Sequence, residues 1–397
     1  MGIKQKSEET QIAESVQTEQ SVQAVETEPR GEVIQEKVGR AEEMPDTVTT
    51  RVSRRRLLAT GLAGGGALAL GLSGFAFWKY QQRALQVIAH MDHGVTALAW
   101  SPDGRSFAVG DESCTVSVWR FNGQRLYHRG LRNRLAGAAL AWSPDGRYLV
   151  VGGDGNAHIW HALSGESAAE YYFVDRSFAW SPDGRYIASG GKYGFIQVWE
   201  AATGQGVSSL QAYTGDVDTF LTVNSIAWAP DNAHIATVGA NVGDLIALWD
   251  ITTGKALRLP YDIQVKNPVA SRMNAISWSP DGQHIAAGYA DARKSGRVIF
   301  WTWQARSRSW EYSEALPAHA HEVNGIAWSP AGTRFASVGQ DTRIQLWNMS
   351  AGLQKDISAS SKGLGSSSTL VAISWSPDGR YLLTGDDTGQ VLLWDIS

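Results

Sequence analysis

From residue 84 onward the chain is a succession of short apolar runs cut by polar turns. The run "VTALAW" (Val95–Trp100) ends in tryptophan and meets the turn Ser101-Pro102-Asp103-Gly104. A second run, "SFAVG", follows; after a polar turn a third, "TVSVW", ends in another tryptophan. This order returns through seven units, the last reading "VAISWSPDGRYLLTGDDTGQVLLWD". Short apolar runs bounded by Pro, Gly and Asp predict strands. The turn chemistry is explicit: Pro fixes φ near −65°, Asp bonds back to the backbone, and Gly takes φ > 0. Runs such as "YLVVGG" and "VLLW" are apolar almost throughout. A sheet covered on both faces requires that pattern.

The turn-side tryptophans are Trp100, Trp142, Trp180, Trp228, Trp278, Trp328 and Trp375. Those of the third strands are Trp119, Trp160, Trp199, Trp249, Trp301, Trp347 and Trp394. Only Trp78, Trp303 and Trp310 of the 17 tryptophans fall outside this scheme. Aromatics tied so closely to one period are core residues. The turn-side tryptophans lie 38 to 50 residues apart, which suits about four short strands and their turns.

Third strands ending "VWR", "VWE", "LWD", "LWN" and "LWD" resemble those of the WD-repeat (WD40) β-propeller family, over about four-fifths of the chain. The resemblance implies an all-β, seven-bladed propeller at residues 84–397. It also implies a structural tetrad, which in unit six would be His319, Ser337, Asp341 and Trp347, hydrogen-bonded across the blade. Other units keep only parts of it: Asp154 with Trp160, Ser189 with Trp199, and Thr384 with Trp394. The sequence stops at Ser397, just past a third strand, while "ALQVIAH" (Ala84–His90) is strand-like and has no blade of its own. Residues 84–90 are therefore expected to pair with the strand ending at Trp394 and close the ring, removing an exposed sheet edge.

The N-terminal part has a different composition. Residues 1–50 contain no Phe, Trp or Tyr and are rich in Glu, Gln, Thr and Val, the composition of a disordered acidic tail. Residues 51–83 hold an uncharged stretch from Leu57 to Trp78, 22 residues long and sufficient to span a bilayer core. The arginines at 51 and 54–56 outweigh Lys79 and Arg83, which places the N-terminus inside and the remainder outside. "SRRRLL" resembles the bacterial twin-arginine export signal, with Arg54 and Arg55 as the arginine pair and Leu57–Leu58 as the apolar pair that follows. Gly74-Phe75-Ala76 offers small residues for a cleavage, whereas "FAFWKY" reads as an interfacial anchor. The reading adopted is a retained anchor through residues 57–78, with the propeller on the extracytoplasmic side of the cytoplasmic membrane.

Net charge is −4, and nothing global points to nucleic acid. One cysteine, Cys114, excludes an intrachain disulfide. No hydrolase elbow, P-loop or dinucleotide fingerprint occurs. The histidine groups "AHMDH" (His90, Asp92, His93) and "AHAHE" (His319, His321, Glu322) could supply zinc ligands. Yet His319 matches the tetrad and His90 stands similarly before its own unit, so neither a metal nor another cofactor is expected. A basic run, Arg120–Arg134, falls on an outer strand, where edge arginines discourage pairing. Arg293, Lys294 and Arg297 form a second basic group in an enlarged turn.

The resemblance implies a partner surface made of second-to-third-strand turns and of loops leading into first strands. The turns offer Lys192, Tyr193, Asn241, Asp244, Asp291, Arg293, Gln340, Arg343, Asp386 and Asp387. The loops offer Tyr171, Tyr172, Phe173, Tyr213 and Phe220. The expected function is a non-catalytic scaffold binding a protein or peptide on this face. The alternative is an extracytoplasmic propeller enzyme or ligand binder, lactonase- or lyase-like, using a channel site.

Overall fold

The computed structural model describes residues 86–132, 137–153, 155–171, 175–191, 194–211, 222–240, 246–259, 272–291, 294–313, 316–349, 352–358 and 368–396. The expected tail, Arg54 and Arg55, and the apolar segment 57–78 lie outside these residues. Among the described residues no helix is long and apolar enough to cross a membrane.

The strands form seven antiparallel blades. Blade 1 runs Val95–Trp100, Ser106–Asp111, Thr115–Arg120 and Arg125–Gly130 from its inner to its outer strand. The inner strands of blades 2 to 7 are Ala139–Trp142, Asp175–Trp180, Thr222–Trp228, Arg272–Trp278, Val323–Trp328 and Leu370–Trp375. Each inner strand touches the next, and the last touches the first, so the blades close into a ring. Blade 7 takes its outer strand from the start of the propeller. Gln86–His90 lies antiparallel to Gln390–Asp395, with Gln86 opposite Leu393 and His90 opposite Gln390.

Blade 5 departs from the plain pattern. Its third strand, Gly296–Gln304, is long enough to pair with both Ser309–Tyr312 and Leu316–His319. Two of the tryptophans outside the period explain the extension: Trp303 pairs across to Trp310, whose ring packs against Trp278 at 5.4 Å.

The Ser-Pro-Asp-Gly corners join inner to second strands and define the lower face. In blade 1, Ser101 Oγ donates to Asp103 Oδ1 at 2.6 Å and accepts from the Ser106 N–H at 2.9 Å. The Arg105 N–H donates to the same carboxylate at 3.0 Å, and Gly104 has φ 68°. Blade 4 places Asn232 in that left-handed position, with φ 59°. The corners also meet their neighbours. The α-carbon of Gly104 faces the Pro377 ring of blade 7, and that of Gly146 faces Pro102 of blade 1.

Three further devices hold blade to blade. Mixed clusters form where sheets stack, as where Leu393 and Val391 of blade 7 join Val95, Leu98 and Phe107 of blade 1. Fully burying one such side chain contributes about 1.5–3 kcal/mol. Glycines near the ends of second strands let the next inner strand approach. A Cβ on Gly288 would stand 2.4 Å from Val323, and one on Gly385 the same distance from Val95. Lastly, the turn-side indoles bridge the blades. The Nε1–H groups of Trp142, Trp180, Trp228, Trp328 and Trp375 donate to Ala99, Ala141, Ala179, Ser277 and Ala327 carbonyls at 2.9–3.2 Å. Each acceptor directly precedes the turn-side tryptophan of the preceding blade. Trp100 and Trp278 are the exceptions, with buried Nε1 atoms lacking a partner.

Candidate interaction face

On the face opposite the corners, inner strands begin and second-to-third-strand turns converge. In blades 1, 4, 5 and 6 the inner strand slips register against its neighbour, between Val95 and Ala97, Val223 and Ser225, Met273 and Ala275, and Val323 and Gly325. A bulge frees one residue from the ladder and re-aims its side chain. Here those residues are Thr96, Asn224, Asn274 and Asn324, and each reaches the next blade. Thr96 Oγ1 donates to the Ala138 carbonyl at 2.6 Å, Asn224 Nδ2 to Met273 at 2.8 Å, and Asn324 Nδ2 to Leu370 at 2.8 Å. Asn274 Nδ2 makes a longer contact of 3.4 Å with the Val323 carbonyl.

These residues stand around an opening of about 580 Å³. Among the described lining residues Glu322 is the one charged side chain. Its Oε2 accepts from Asn274 Nδ2 at 3.5 Å and from Gln340 Nε2 at 3.4 Å. The mouth thus combines side-chain amides with a single carboxylate, a chemistry suited to the amides or cationic side chains of a peptide.

In blade 6, behind this rim, a polar chain is buried. The Trp347 indole N–H donates to Ser337 Oγ at 2.9 Å, and Ser337 Oγ lies 2.9 Å from His319 Nε2. His319 Nδ1 is 2.8 Å from Asp341 Oδ1, while the Ala320 N–H donates to Asp341 Oδ2 at 2.9 Å. With the indole donating to Ser337, the serine proton goes to Nε2, which leaves Nδ1–H to donate to the carboxylate. Burial pushes the Asp341 carboxyl up, but hydrogen bonds from His319 and from the Ala320 and Arg343 N–H groups outweigh it, leaving it below its usual value. The chain ties the third strand, through the second, to the loop entering blade 6. Among the described residues no three His, Cys, Asp or Glu side chains converge to hold a metal ion.

Comparison with known proteins agrees with this architecture. The profile of the WD domain, G-beta repeat, matches residues 82–120, 172–200, 266–302, 310–348 and 360–395. That of the anaphase-promoting complex subunit 4 WD40 domain matches residues 108–175. The matched segments are WD40 repeats, and blade 4 lies outside both profiles. A similar curated protein is cell division cycle 20.1, cofactor of APC complex, from Arabidopsis thaliana, 29% identical over 49% of this chain and 39% of its own length. Protein transport protein sec13 of Aspergillus oryzae is 29% identical over 24% of this chain and 32% of its own. Cytoplasmic dynein 1 intermediate chain of Drosophila melanogaster is 27% identical over 22% and 14%. The matched stretches thus span well under half of these relatives.

The WD40 frame places the expected partner residues unevenly. Gln340 and Asp387 are exposed on the upper face, Gln340 at the mouth and Asp387 accepting from the Thr369 N–H at 2.8 Å. Arg343 is exposed but paired with Asp356, and Asp291 pairs with Arg297 at 3.3 Å. One expectation is corrected. Asp386 is fully buried, because its Oδ1 accepts from the N–H groups of Thr388 and Gln390 and from Thr388 Oγ1, stapling the turn. Asp111 does the same in blade 1. Tyr171 is half-buried: its ring lies edge-on to Trp199 at 5.0 Å, and its hydroxyl donates to the Ala201 carbonyl at 3.4 Å, wedging blade 2 against blade 3. Lys192, Tyr193, Asn241, Asp244, Arg293, Tyr172, Phe173, Tyr213 and Phe220 lie outside the described residues.

Sequence reasoning missed Asn224, Asn274 and Asn324, and named Glu322 only as a possible zinc ligand. A signal existed: "VNSIAW", "MNAISW" and "VNGIAW" each carry an amide four residues before the turn-side tryptophan, inside an otherwise apolar run.

Proposed function

We propose that this protein is a non-catalytic interaction scaffold that binds a protein or peptide at the upper mouth of its WD40 propeller. We further propose that residues 57–78 anchor it in the cytoplasmic membrane with the propeller on the extracytoplasmic side. The observation that carries the first reading is the contrast between the two faces. The lower face repeats one Ser-Pro-Asp-Gly corner whose polar groups bond within the turn, whereas the upper mouth gathers Thr96, Asn224, Asn274, Asn324 and Gln340 around the carboxylate of Glu322. Relatives named as a cofactor of a complex, a protein transport protein and a dynein intermediate chain support a protein partner. The uncharged run after Arg54 and Arg55 supports the anchor.

A photo-crosslinking residue placed at Gln340 is expected to capture a discrete partner in the native membrane, and one placed at Asp281 on a lower corner is not. Equal capture of the same partner from both positions contradicts the upper-face reading.

A further inference from the structure

The basic run of blade 1 is not absorbed by the upper-face reading. From Arg120 to Arg134 the sequence carries five arginines, no lysine and no acidic residue. Elsewhere among the described residues Arg147, Arg185, Arg297, Arg343 and Arg380 each pair with a carboxylate, while Arg105, Arg306, Arg308 and Arg334 do not. Among the described residues, Arg120, Arg125, Arg129 and Arg132 have no such partner; Arg125 and Arg129 lie over the rings of Trp119 and Trp160 instead. Protection of a sheet edge accounts for arginine within the strand Arg125–Gly130. It does not account for Arg120, which precedes that strand, nor for the apolar side chains beside it. Phe121 is 37% exposed and Val87 is 49% exposed. The Phe121 ring is seated between Trp100 at 5.5 Å and Tyr381 at 5.4 Å, across the seam between blades 1 and 7, in a hollow also lined by Asp103 and Asp378, whose carboxylates are held by their own corners.

This corner is also where the chain enters the propeller. The closing strand starts at Gln86 on its lower side, and the Ile88 carbonyl faces Gly123 in the turn that carries Phe121. Seven residues, 79–85, separate Gln86 from the end of the apolar segment at Trp78. Fully extended they reach only about 25 Å. On the anchor reading, so brief a tether keeps this corner near the membrane surface. Guanidinium groups grip phosphate oxygens bidentately, and an exposed phenylalanine suits the boundary below the headgroups.

We infer that the lower, outer corner at the seam of blades 1 and 7, with Arg120, Phe121, Arg125 and Val87, rests on anionic phospholipid headgroups and turns the upper mouth away from the bilayer. This rests on the anchor reading of residues 57–78.

The test uses the full chain reconstituted into phosphatidylcholine vesicles with and without phosphatidylglycerol. Because Cys114 is buried, a cysteine at Gln124 or, as an upper-face reference, at Glu112 can carry an environment-sensitive fluorophore alone. The probe at 124 is expected to shift to the blue only with phosphatidylglycerol. The shift should disappear at about 0.5 M salt and in Arg120→Glu/Arg125→Glu, while the probe at 112 never responds. Co-flotation of the chain without that shift overturns the corner and leaves the anchor intact. Failure to co-float overturns the anchor and the corner with it. A salt-resistant shift in phosphatidylcholine alone shows apolar contact without headgroup recognition. An equal shift produced by soluble polyphosphate assigns the arginines to a polyanion. Both of these last results also overturn the proposal.

Discussion

The indole N–H of Trp228 donates to the carbonyl of Ala179 at 2.9 Å, joining the inner strand of blade 4 to that of blade 3. The tryptophan that ends a strand in every repeat is thus more than apolar filling. It also gives a half-buried carbonyl of the preceding blade its partner, in five of the seven blades. A buried acceptor stripped of its donor costs about 1–3 kcal/mol. Trp228→Phe keeps a large ring and removes the donor, so it is expected to lose about that much. Trp278→Phe removes an N–H that has no partner and is expected to cost less than about half as much. Denaturant unfolding of the two variants provides the comparison, and equal losses would show that ring volume alone matters.

The same logic applies to the glycines facing a neighbouring blade. Gly288→Ala places a methyl group against Val323, and overpacking of this kind costs about 1–3 kcal/mol. Gly206→Ala, on an outer strand with nothing within 4 Å of the added carbon, is expected to leave the unfolding midpoint unchanged.

The polar chain of blade 6 has a pH signature. The Asp341 carboxyl is held below its usual value of about 3.9. A carboxyl lowered by folding adds stability that is complete above its unfolded-state value and is lost as pH falls through the folded one. Asp341→Asn is therefore expected to be less stable than the parent at neutral pH, with the difference shrinking below about pH 4. Unfolding midpoints from pH 3 to 7 measure this, and a pH-independent difference would remove the carboxylate from the account.

Ring closure through Gln86–His90 makes its own demand. A chain beginning at residue 80 is expected to melt as the full chain does. One beginning at residue 92 exposes the edge of Gln390–Asp395 and should melt at a markedly lower temperature. Thermal scans of the two truncations decide the matter, and equal midpoints would mean that the seam of blades 1 and 7 holds without the strand.

Much of this fold was legible in the sequence, for a physical reason. Trp100 and Trp119 mark where two strands end, and Pro102, Asp103 and Gly104 spell out the corner between inner and second strands, so local chemistry alone located each blade. The tetrad residues of blade 6 came from the resemblance to WD40 repeats, and His319, Ser337, Asp341 and Trp347 are hydrogen-bonded as it implied. The partner face was less legible, because exposure at a turn is decided by where neighbouring N–H groups point. Asp386 and Asp387 are adjacent and alike in sequence, yet one is buried as a staple and the other is exposed. Tyr171 reads as a loop aromatic, but the gap it fills belongs to blade 3, which spacing within blade 2 cannot reveal. The asparagines of the mouth were overlooked because one polar residue in an apolar strand becomes meaningful only when a bulge turns it toward the next blade.

On the proposed function, partner binding resides at the upper mouth and the Ser-Pro-Asp-Gly corners serve the fold. This is tested most directly by the affinity of the crosslinked partner for paired substitutions on the two faces. Glu322→Ala/Asn274→Ala at the mouth is expected to weaken binding by about tenfold or more, equivalent to roughly 1.4 kcal/mol. Arg147→Ala/Asp145→Ala on a lower corner should leave the affinity within about twofold, less than roughly 0.5 kcal/mol. Unchanged affinity at the mouth together with a loss at the corner would contradict the account.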